Sequence, residues 1–407
     1  MTPFLELAFI LAAILLAAKL AGYISSRLGQ PSVLGELVVG LMLGPSLLNL
    51  TKLSFIQDGQ MLDTIITELG ELGVLLLMFL AGLELHFSDL ASSSRVSALS
   101  GILGVIFPVG LGWLAGNLYG MSAQQAMFLG LALGATSVSI AAQTMMELKV
   151  LRSRVGLGML GAAVFDDVFT IFLLSSFIAL SGSGNGVLQI MWVIARMLIF
   201  FLLAVLFGLK ILPYLTRLIA PLPISQGMVT LAIVIMLVFG LASELVGGMA
   251  SITGAFIAGL MFARTPEKNQ LENGLHSLSY SFFVPIFFIS VGLRINLRLL
   301  PGGAIWLILL VALVAITGKF LGACLGARLG KFSWREAVQL ATGMISRGEV
   351  GLIVASIGMR EGLLDNQSIS AIIVAILICD LLTPILLKAV VRKLPVEKAD
   401  QPGSSAS

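Results

Sequence analysis

The chain has 407 residues, of which 58% are hydrophobic and only 11% are charged, whereas ordinary soluble domains carry about 25% charged residues. So few charges could not cover the surface of a soluble fold, which excludes a soluble enzyme and a nucleic-acid-binding protein. The formal net charge of +3 says little about partners, because the basic excess of a membrane protein mostly reflects its topology.

Long apolar runs, separated by polar residues, glycine or proline, recur along the whole chain. Each is continuously apolar, unlike the alternating strands of outer-membrane barrels, and a helical crossing of the hydrocarbon core needs about 20 residues. No basic region precedes the first run, so we interpret it as a span and not as a signal peptide. The pattern predicts an all-α membrane protein with thirteen transmembrane helices over 4–26, 32–50, 62–84, 97–118, 123–146, 154–179, 187–212, 226–245, 249–264, 277–293, 303–327, 336–359 and 367–391.

The distribution of basic residues predicts how these spans are oriented. If the N-terminus lies outside, sixteen of the 24 Lys and Arg residues fall on the cytoplasmic side and four on the outer side. The other four, Lys19, Arg196, Lys319 and Arg347, lie within spans. Because cytoplasmic loops carry the excess of Lys and Arg, we expect a multi-pass protein of the cell (inner) membrane, with its N-terminus outside and its C-terminus in the cytoplasm.

Two spans are interrupted at corresponding places of a possible repeat. An odd count fits two inverted six-helix repeats joined by a linker helix, and the fifth and twelfth spans then correspond. The fifth contains Gly134-Ala135-Thr136-Ser137-Val138-Ser139, and the twelfth contains Gly343-Met344-Ile345-Ser346-Arg347-Gly348-Glu349. Broken helices in antiparallel repeats mark the substrate site of secondary transporters, and hydroxyl groups there could offer oxygens to a cation. The alternative is that the small residues only allow close helix packing.

Asp166 and Asp167 lie at the centre of the sixth span. An ionisable residue at this depth costs at least about 2.5–3.5 kcal/mol and therefore indicates function. Two adjacent carboxylates cannot both stay charged in a low dielectric without a cation. Because neighbouring helix positions point about 100° apart, one carboxylate can face an ion while the other faces a fixed cation, for which Lys319 and Arg347 are the candidates. A protein that presents such a carboxylate alternately to each side of the membrane, holding either a proton or a metal cation, is an exchanger.

Other polar residues within the spans have open interpretations. We interpret Glu36 as a packing or helix-end group. Asp380 fits a structural role and a functional role equally well. Arg196 could extend its charge to the interface, and His86 and His276 are read as interfacial histidines with pH sensing as the alternative. The two cysteines, at 324 and 379, fall in apolar runs and support neither a disulfide framework nor a metal site.

Several motifs carry a family resemblance that covers about residues 4–393. They are Gly35-Glu36-Leu37 with Leu43-Gly44-Pro45, Glu71-Leu72-Gly73 through Gly82-Leu83-Glu84-Leu85, the Asp pair in GAAVFDDVF, Lys319 in TGKFLGA, and Arg347-Gly348-Glu349-Val350-Gly351. Together they resemble the monovalent cation:proton antiporter-2 family, most closely its bacterial sodium/proton antiporter branch.

The resemblance implies a homodimer with two kinds of domain. A panel, over 1–94 (spans 1–3) and 223–299 (spans 8–10), would form the dimer contact. A core, over 95–182 (spans 4–6) and 300–393 (spans 11–13), would carry the ion site and move against the panel like an elevator. The linker helix would occupy 183–222. The polar segment 394–407 is expected to be a disordered cytoplasmic tail.

The resemblance also implies roles for the site residues. Asp167 would bind the cation and the proton, and Asp166 would pair with Lys319 in the ion-free state. Thr136 and Ser137 are further ion-binding candidates, and Arg347 and Glu349 would support the second broken helix. A lysine at position 319 marks electrogenic exchangers. Several potassium-specific relatives carry Gln-Asp at the pair and a nucleotide-binding domain, neither of which appears here, so no cofactor, nucleotide or nucleic acid is expected.

Three transport functions compete. The first is electrogenic Na⁺ (or Li⁺)/H⁺ antiport, which would not be an enzymatic activity. The second is K⁺/H⁺ antiport on the same fold, since coordinating oxygens alone do not separate the two ions. The third is sodium-coupled symport of an organic anion, which is less favoured because two adjacent buried carboxylates repel an anion.

Overall fold

The computed structural model describes residues 2–54, 56, 58–85, 93–181, 186–299, 305–360 and 363–391, and every regular element in these ranges is helical. His86 and the predicted tail over 394–407 lie outside the described residues. In chain order the helices are α1 (Pro3–Arg27), α2 (Ser32–Leu43), α3 (Gly59–Glu84), α4 (Ser94–Leu118), α5 (Ala123–Gly134), α6 (Val138–Glu147), α7 (Arg154–Ser181), α8 (Gly186–Leu206), α9 (Leu212–Ile219), α10 (Gly227–Ala242), α11 (Ser251–Phe262), α12 (Lys268–Leu278), α13 (Val284–Leu293), α14 (Ile305–Leu329), α15 (Trp334–Gly343), α16 (Glu349–Arg360) and α17 (Asn366–Val391).

Short segments of altered helical winding complete the described elements. Three π-helical stretches join α8 to α9, extend α10 and join α12 to α13, over Phe207–Ile211, Ser243–Gly247 and Ser279–Phe283. Two 3₁₀ turns cover Leu50–Lys52 and Leu297–Leu299.

The described residues contain 10 helices, some of them counted across a break or a π segment, that are long and apolar enough to cross a membrane. Three shorter apolar helices, α2, α11 and the Val350–Met359 part of α16, lie where the second, ninth and twelfth spans were predicted. A helix of 12 residues, such as α2 or α11, is about 18 Å long, short of the roughly 30 Å hydrocarbon core. The multi-pass all-α prediction is confirmed, whereas the count of thirteen crossings stays a prediction.

Local sequence determines where several helices begin and end. Ser122 and Ser333 cap α5 and α15, each in a reciprocal capping box with the side chain three residues later, Gln125 and Glu336. Helix α2 ends at Leu43, well before the predicted boundary at 50. The reason is that Gly44 precedes a proline and adopts an extended conformation, with φ −73° and ψ −176°.

Glycine allows pairs of helices to pack with their backbones in contact. A Cβ on Gly322 of α14 would lie 2.2 Å from the carbonyl oxygen of Leu103 on α4, and one on Gly259 of α11 would lie 2.0 Å from the carbonyl oxygen of Phe79 on α3. Any side chain there would push the helices apart, which is why small residues are used at membrane helix interfaces.

The arrangement places polar side chains at the centre and apolar ones outside. Residues of α8 such as Trp192 and Leu198 are exposed at 61% and 63%, and we expect lipid to cover them. Asp166, Asp167, Lys319 and Arg347 are buried in the interior. The native thiols of α14 and α17, at 324 and 379, are free and buried.

Candidate functional site

The two helix breaks meet in the middle of the molecule. Helix α5 ends at Gly134 and α6 begins at Val138, while α15 ends at Gly343 and α16 begins at Glu349. The Ser137 N–H donates to the Ser346 carbonyl oxygen at 3.0 Å, and the Ser346 hydroxyl donates to the Ser137 carbonyl oxygen at 2.7 Å. Each break therefore supplies partners to the backbone groups of the other, as a low-dielectric interior requires.

Lys319 joins the end of the first broken helix to the aspartate pair. Its side chain is fully buried, and its Nζ donates to Asp166 Oδ1 and to the Gly134 carbonyl oxygen, the latter at 2.6 Å. Gly134 ends α5, where the helix dipole places partial negative charge. The ammonium group is thus neutralised by one carboxylate and one helix end. The resemblance implied this pair, and its role in transport remains a proposal.

Arg347 holds the backbone of both interruptions. Its guanidinium donates to the carbonyl oxygens of Ala135, at 3.1 Å, and of Ala315, and its backbone N–H donates to Asp380 Oδ1 at 2.8 Å. Asp380 on α17 therefore binds the backbone just before α16, an arrangement that the sequence left open. The side chain of Glu349 lies outside the described ones, so its predicted supporting role is untested.

Asp167 contacts a different part of the structure from Asp166. It is 2% exposed, and the Thr253 hydroxyl on α11 donates to its Oδ2 at 3.2 Å. Beside this pair lies a cavity of about 10 Å³, lined also by Val138 and Ile252, which is about the space that one water molecule needs. Sequence reasoning missed Thr253, because a threonine in the first turn of an apolar helix carries no distinguishing signal.

A larger cavity, of about 700 Å³, opens next to this small one. Ile252 lines both cavities. Ile171 of α7, about one turn beyond Asp167, also lines the larger one. Its charged lining residues are Glu71, Glu244 and Arg294. The small cavity beside Asp167 therefore adjoins, at Ile252, a space that carries two acidic groups and one basic group.

The two predicted hydroxyl candidates lie in different surroundings. Ser137 lines a cavity of about 30 Å³ together with Arg347 and Asp380, apart from the cavity of Asp167, and its Oγ lies 3.1 Å from Ser139 Oγ. Thr136 is buried, and its Oγ1 has no hydrogen-bond partner within the described part of the chain. The structure thus brings Asp166 and Lys319 together and places Ser137 with Arg347.

Other charged residues within the predicted spans bind backbone carbonyl groups or are buried. Arg196 donates to the carbonyl oxygens of Leu245, at 2.7 Å, and Val246, at 2.9 Å, where the π segment after α10 leaves backbone groups without helical partners. Lys19 donates to the Tyr280 carbonyl oxygen at 2.7 Å. Glu36 is buried on α2. Arg196 and Lys19 therefore stabilise contacts between helices through backbone carbonyl groups.

Fold and site together define a class of protein. Two interrupted helices that cross, a buried carboxylate beside a small cavity and a buried lysine next to it are the arrangement of a multi-pass secondary transporter. Comparison with known proteins identifies the family. The family model "Sodium/hydrogen exchanger, transmembrane" matches residues 12–393. The chain therefore belongs to this family, and the predicted relation to the monovalent cation:proton antiporter-2 proteins is confirmed.

Individual relatives resemble the chain over nearly its whole length. The probable Na⁺/H⁺ antiporter GerT of Bacillus cereus is 40% identical over 380 residues, covering 93% of this chain and 98% of GerT. The Na⁺/H⁺-K⁺ antiporter GerN of the same organism is 39% identical over 383 residues, covering 94% and 96%. The structure of the sodium proton antiporter MjNhaP1 from Methanocaldococcus jannaschii matches with a TM-score of 0.70 at 20% identity, covering 98% and 100%, and this likeness concerns the fold.

Proposed function

We propose that the chain exchanges Na⁺ or Li⁺ for protons across the cell membrane, by an elevator-type mechanism and electrogenically. The observation that carries the proposal is the buried Asp167, which lies beside a cavity while its neighbour Asp166 is neutralised by Lys319. A buried carboxylate beside a cavity can hold either a proton or a cation. The names of GerT and GerN support cation/proton exchange, and that of GerN keeps K⁺ as the alternative cation.

The contacts between the proposed core and panel differ at the two ends of the molecule. At one end lies the 700 Å³ cavity, with Glu71 and Arg294 in its lining. At the other end Glu147, the last residue of α6, accepts hydrogen bonds from the backbone N–H and the hydroxyl of Ser32, both at 2.6 Å. Gln143 donates to the same carboxylate at 3.0 Å. A further cavity of about 320 Å³, lined by Val164, Phe256 and Arg264, lies between the proposed core and panel toward the end of Glu147. The two ends therefore differ in their contacts, as the two faces of a protein that works by alternating access would.

Charge pairs add to the contacts at the end of Glu147. Arg152, in the loop after α6, lies 3.7 Å from Glu84 at the end of α3 and 3.6 Å from Glu272 on α12. With the N-terminus outside, these contacts are cytoplasmic and the large cavity faces outward. The proposed core would have to break them in order to move, and dimerisation through the panel would hold the panel still.

Lys319 supports electrogenic exchange. A cation that reaches the aspartate pair competes with the lysine for Asp166, and a lysine released in this way can lose a proton in addition to that of Asp167. If two protons move for one Na⁺, each turnover carries one net charge, which gains about 2.3 kcal/mol per 100 mV of membrane potential. That energy would let the exchanger expel sodium against its gradient.

The test is ion-triggered dissipation of a pH gradient in proteoliposomes, with Na⁺, Li⁺ and K⁺ titrated separately and with the membrane potential clamped or free. We expect Na⁺ and Li⁺ to dissipate the gradient, and the rate to depend on the potential. Asp167→Asn should abolish exchange. Asp63→Asn, which changes an exposed aspartate of α3, is the matched control. Unimpaired exchange by Asp167→Asn would refute the proposal, and a response to K⁺ alone would replace Na⁺ by the alternative cation.

A further inference from the structure

The hydroxyl of Thr253 is directed across a helix interface. Thr144, Thr342 and Thr383 donate to the carbonyl oxygen four residues earlier in their own helices, the usual arrangement for threonine in a helix. Thr253 is in the first turn of α11, has no helical carbonyl at that position and donates instead to Asp167 of α7 at 3.2 Å. Its helix is in the proposed panel, whereas Asp167 is in the proposed core.

The two oxygens are spaced as neighbouring ligands of one cation would be. Oxygen ligands lie about 2.3–2.6 Å from a hard cation such as Ca²⁺, and at those distances two oxygens 3.2 Å apart subtend roughly 75–90° at the metal. The upper end of this range is close to the 90° between adjacent ligands in an octahedral arrangement. The cavity of about 10 Å³ is lined by both residues, so there is room for a small ion beside them.

Resting on the proposed function, we propose that Thr253 is a cation ligand supplied by the panel, which binds the transported ion together with Asp167 only in the core position described here. The hydroxyl donates to the carboxylate while the site is empty, and its oxygen turns to the cation when one enters. Because α11 would stay in place while α7 moves, a displacement of a few ångströms separates the two residues. Thr253 would then assist binding from one side of the membrane alone.

Other charged groups lie near Asp167, and replacing Thr253 leaves each of them in the protein. Asp166 is on its own helix and pairs with Lys319, Arg347 binds the carbonyl oxygen next to the one that Lys319 binds, and Glu71, Glu244 and Arg294 line the adjoining large cavity. A comparison at one fixed pH leaves all of them in place. It therefore isolates the contribution of the single oxygen of Thr253.

The experiment measures the KM for Na⁺ separately at each face, with Na⁺ added outside right-side-out or everted membrane vesicles at constant pH. Thr253→Val keeps the shape of the side chain and removes the oxygen. We expect it to raise KM about 3- to 10-fold, the value of one hydrogen-bonding group, at the face onto which the large cavity opens, without raising KM at the other face. Thr253→Ser should restore KM to within about twofold of the original chain, by the same reasoning.

Thr216→Val is the matched control, because Thr216 is equally buried, at 3% exposure, and its hydroxyl donates to the Pro213 carbonyl oxygen of the same helix. If Thr253→Val does not fold, Thr253→Ala is compared with Thr253→Ser in the same way. A KM that is unchanged at both faces, or raised equally at both, overturns the inference while leaving the exchange function intact. Absence of Na⁺-driven proton movement in the original chain would instead refute the proposed function.

Discussion

Replacing Lys319 with methionine should lower the free energy of unfolding by about 3–5 kcal/mol, the usual cost of removing one partner from a buried ion pair. The side chains of Lys319 and Asp166 are both 0% exposed. The substitution leaves Asp166 Oδ1 without its ammonium donor and the Gly134 carbonyl without its cap. Asp166 Oδ2 already lacks a hydrogen-bond partner among the described residues. At about 1.4 kcal/mol per tenfold, the ratio of folded to unfolded protein falls by roughly 150- to 4,000-fold.

The assay is unfolding by sodium dodecyl sulfate in dodecylmaltoside micelles, followed by circular dichroism. Lys210→Met changes an exposed lysine near the end of α8 and should stay within about 0.5 kcal/mol of the original chain. The double variant Lys319→Met with Asp166→Leu should regain most of the loss, since an apolar pair of similar volume avoids the uncompensated charge. A double variant no more stable than Lys319→Met alone would show that the lysine does not act through Asp166.

Two further predictions concern packing and closure. Gly322→Ala places a Cβ 2.2 Å from the Leu103 carbonyl oxygen and should lower the free energy of unfolding, measured by thermal unfolding, by about 1–3 kcal/mol. Gly110→Ala, whose Cβ meets nothing within 4 Å, is the control and should be tolerated. Equal melting temperatures for the two variants would contradict the close-packing argument. Glu147→Gln weakens the charge-assisted hydrogen bonds from Ser32 of α2. It should therefore increase, severalfold, the maleimide labelling of a cysteine introduced at the buried position of Val33. Unchanged labelling would show that the contact between Glu147 and Ser32 does not shield this part of the interface between α2 and α6.

The sequence predicted those features that follow from the high free-energy cost of polar groups in lipid. The aspartate pair and Lys319 stood out because each is expensive within an apolar run, and the helix breaks stood out because glycine and hydroxyl residues cluster there. Contacts between distant residues could not be read in this way. Thr253 is 86 positions from Asp167, and Ser32 is 115 positions from Glu147.

Other differences have local causes. The predicted second span was too long because the apolar run continues beyond Gly44, although the following proline stops the helix there. The role of Asp380 was left open because a carboxylate in an apolar helix predicts a partner without identifying it. Its partner is the backbone N–H of Arg347, a group that is free only because α15 ends before it.

The two native thiols, at Cys324 and Cys379, are 8% and 0% exposed, and this burial has a practical consequence. Nitroxide or fluorescent probes attached through thiol chemistry would react slowly with either one while the protein stays folded. Pairs of labels, one on each side of the proposed sliding interface, can therefore be introduced without first building a cysteine-free background. Pulsed electron paramagnetic resonance would then measure the separation between the proposed core and panel directly, with and without sodium.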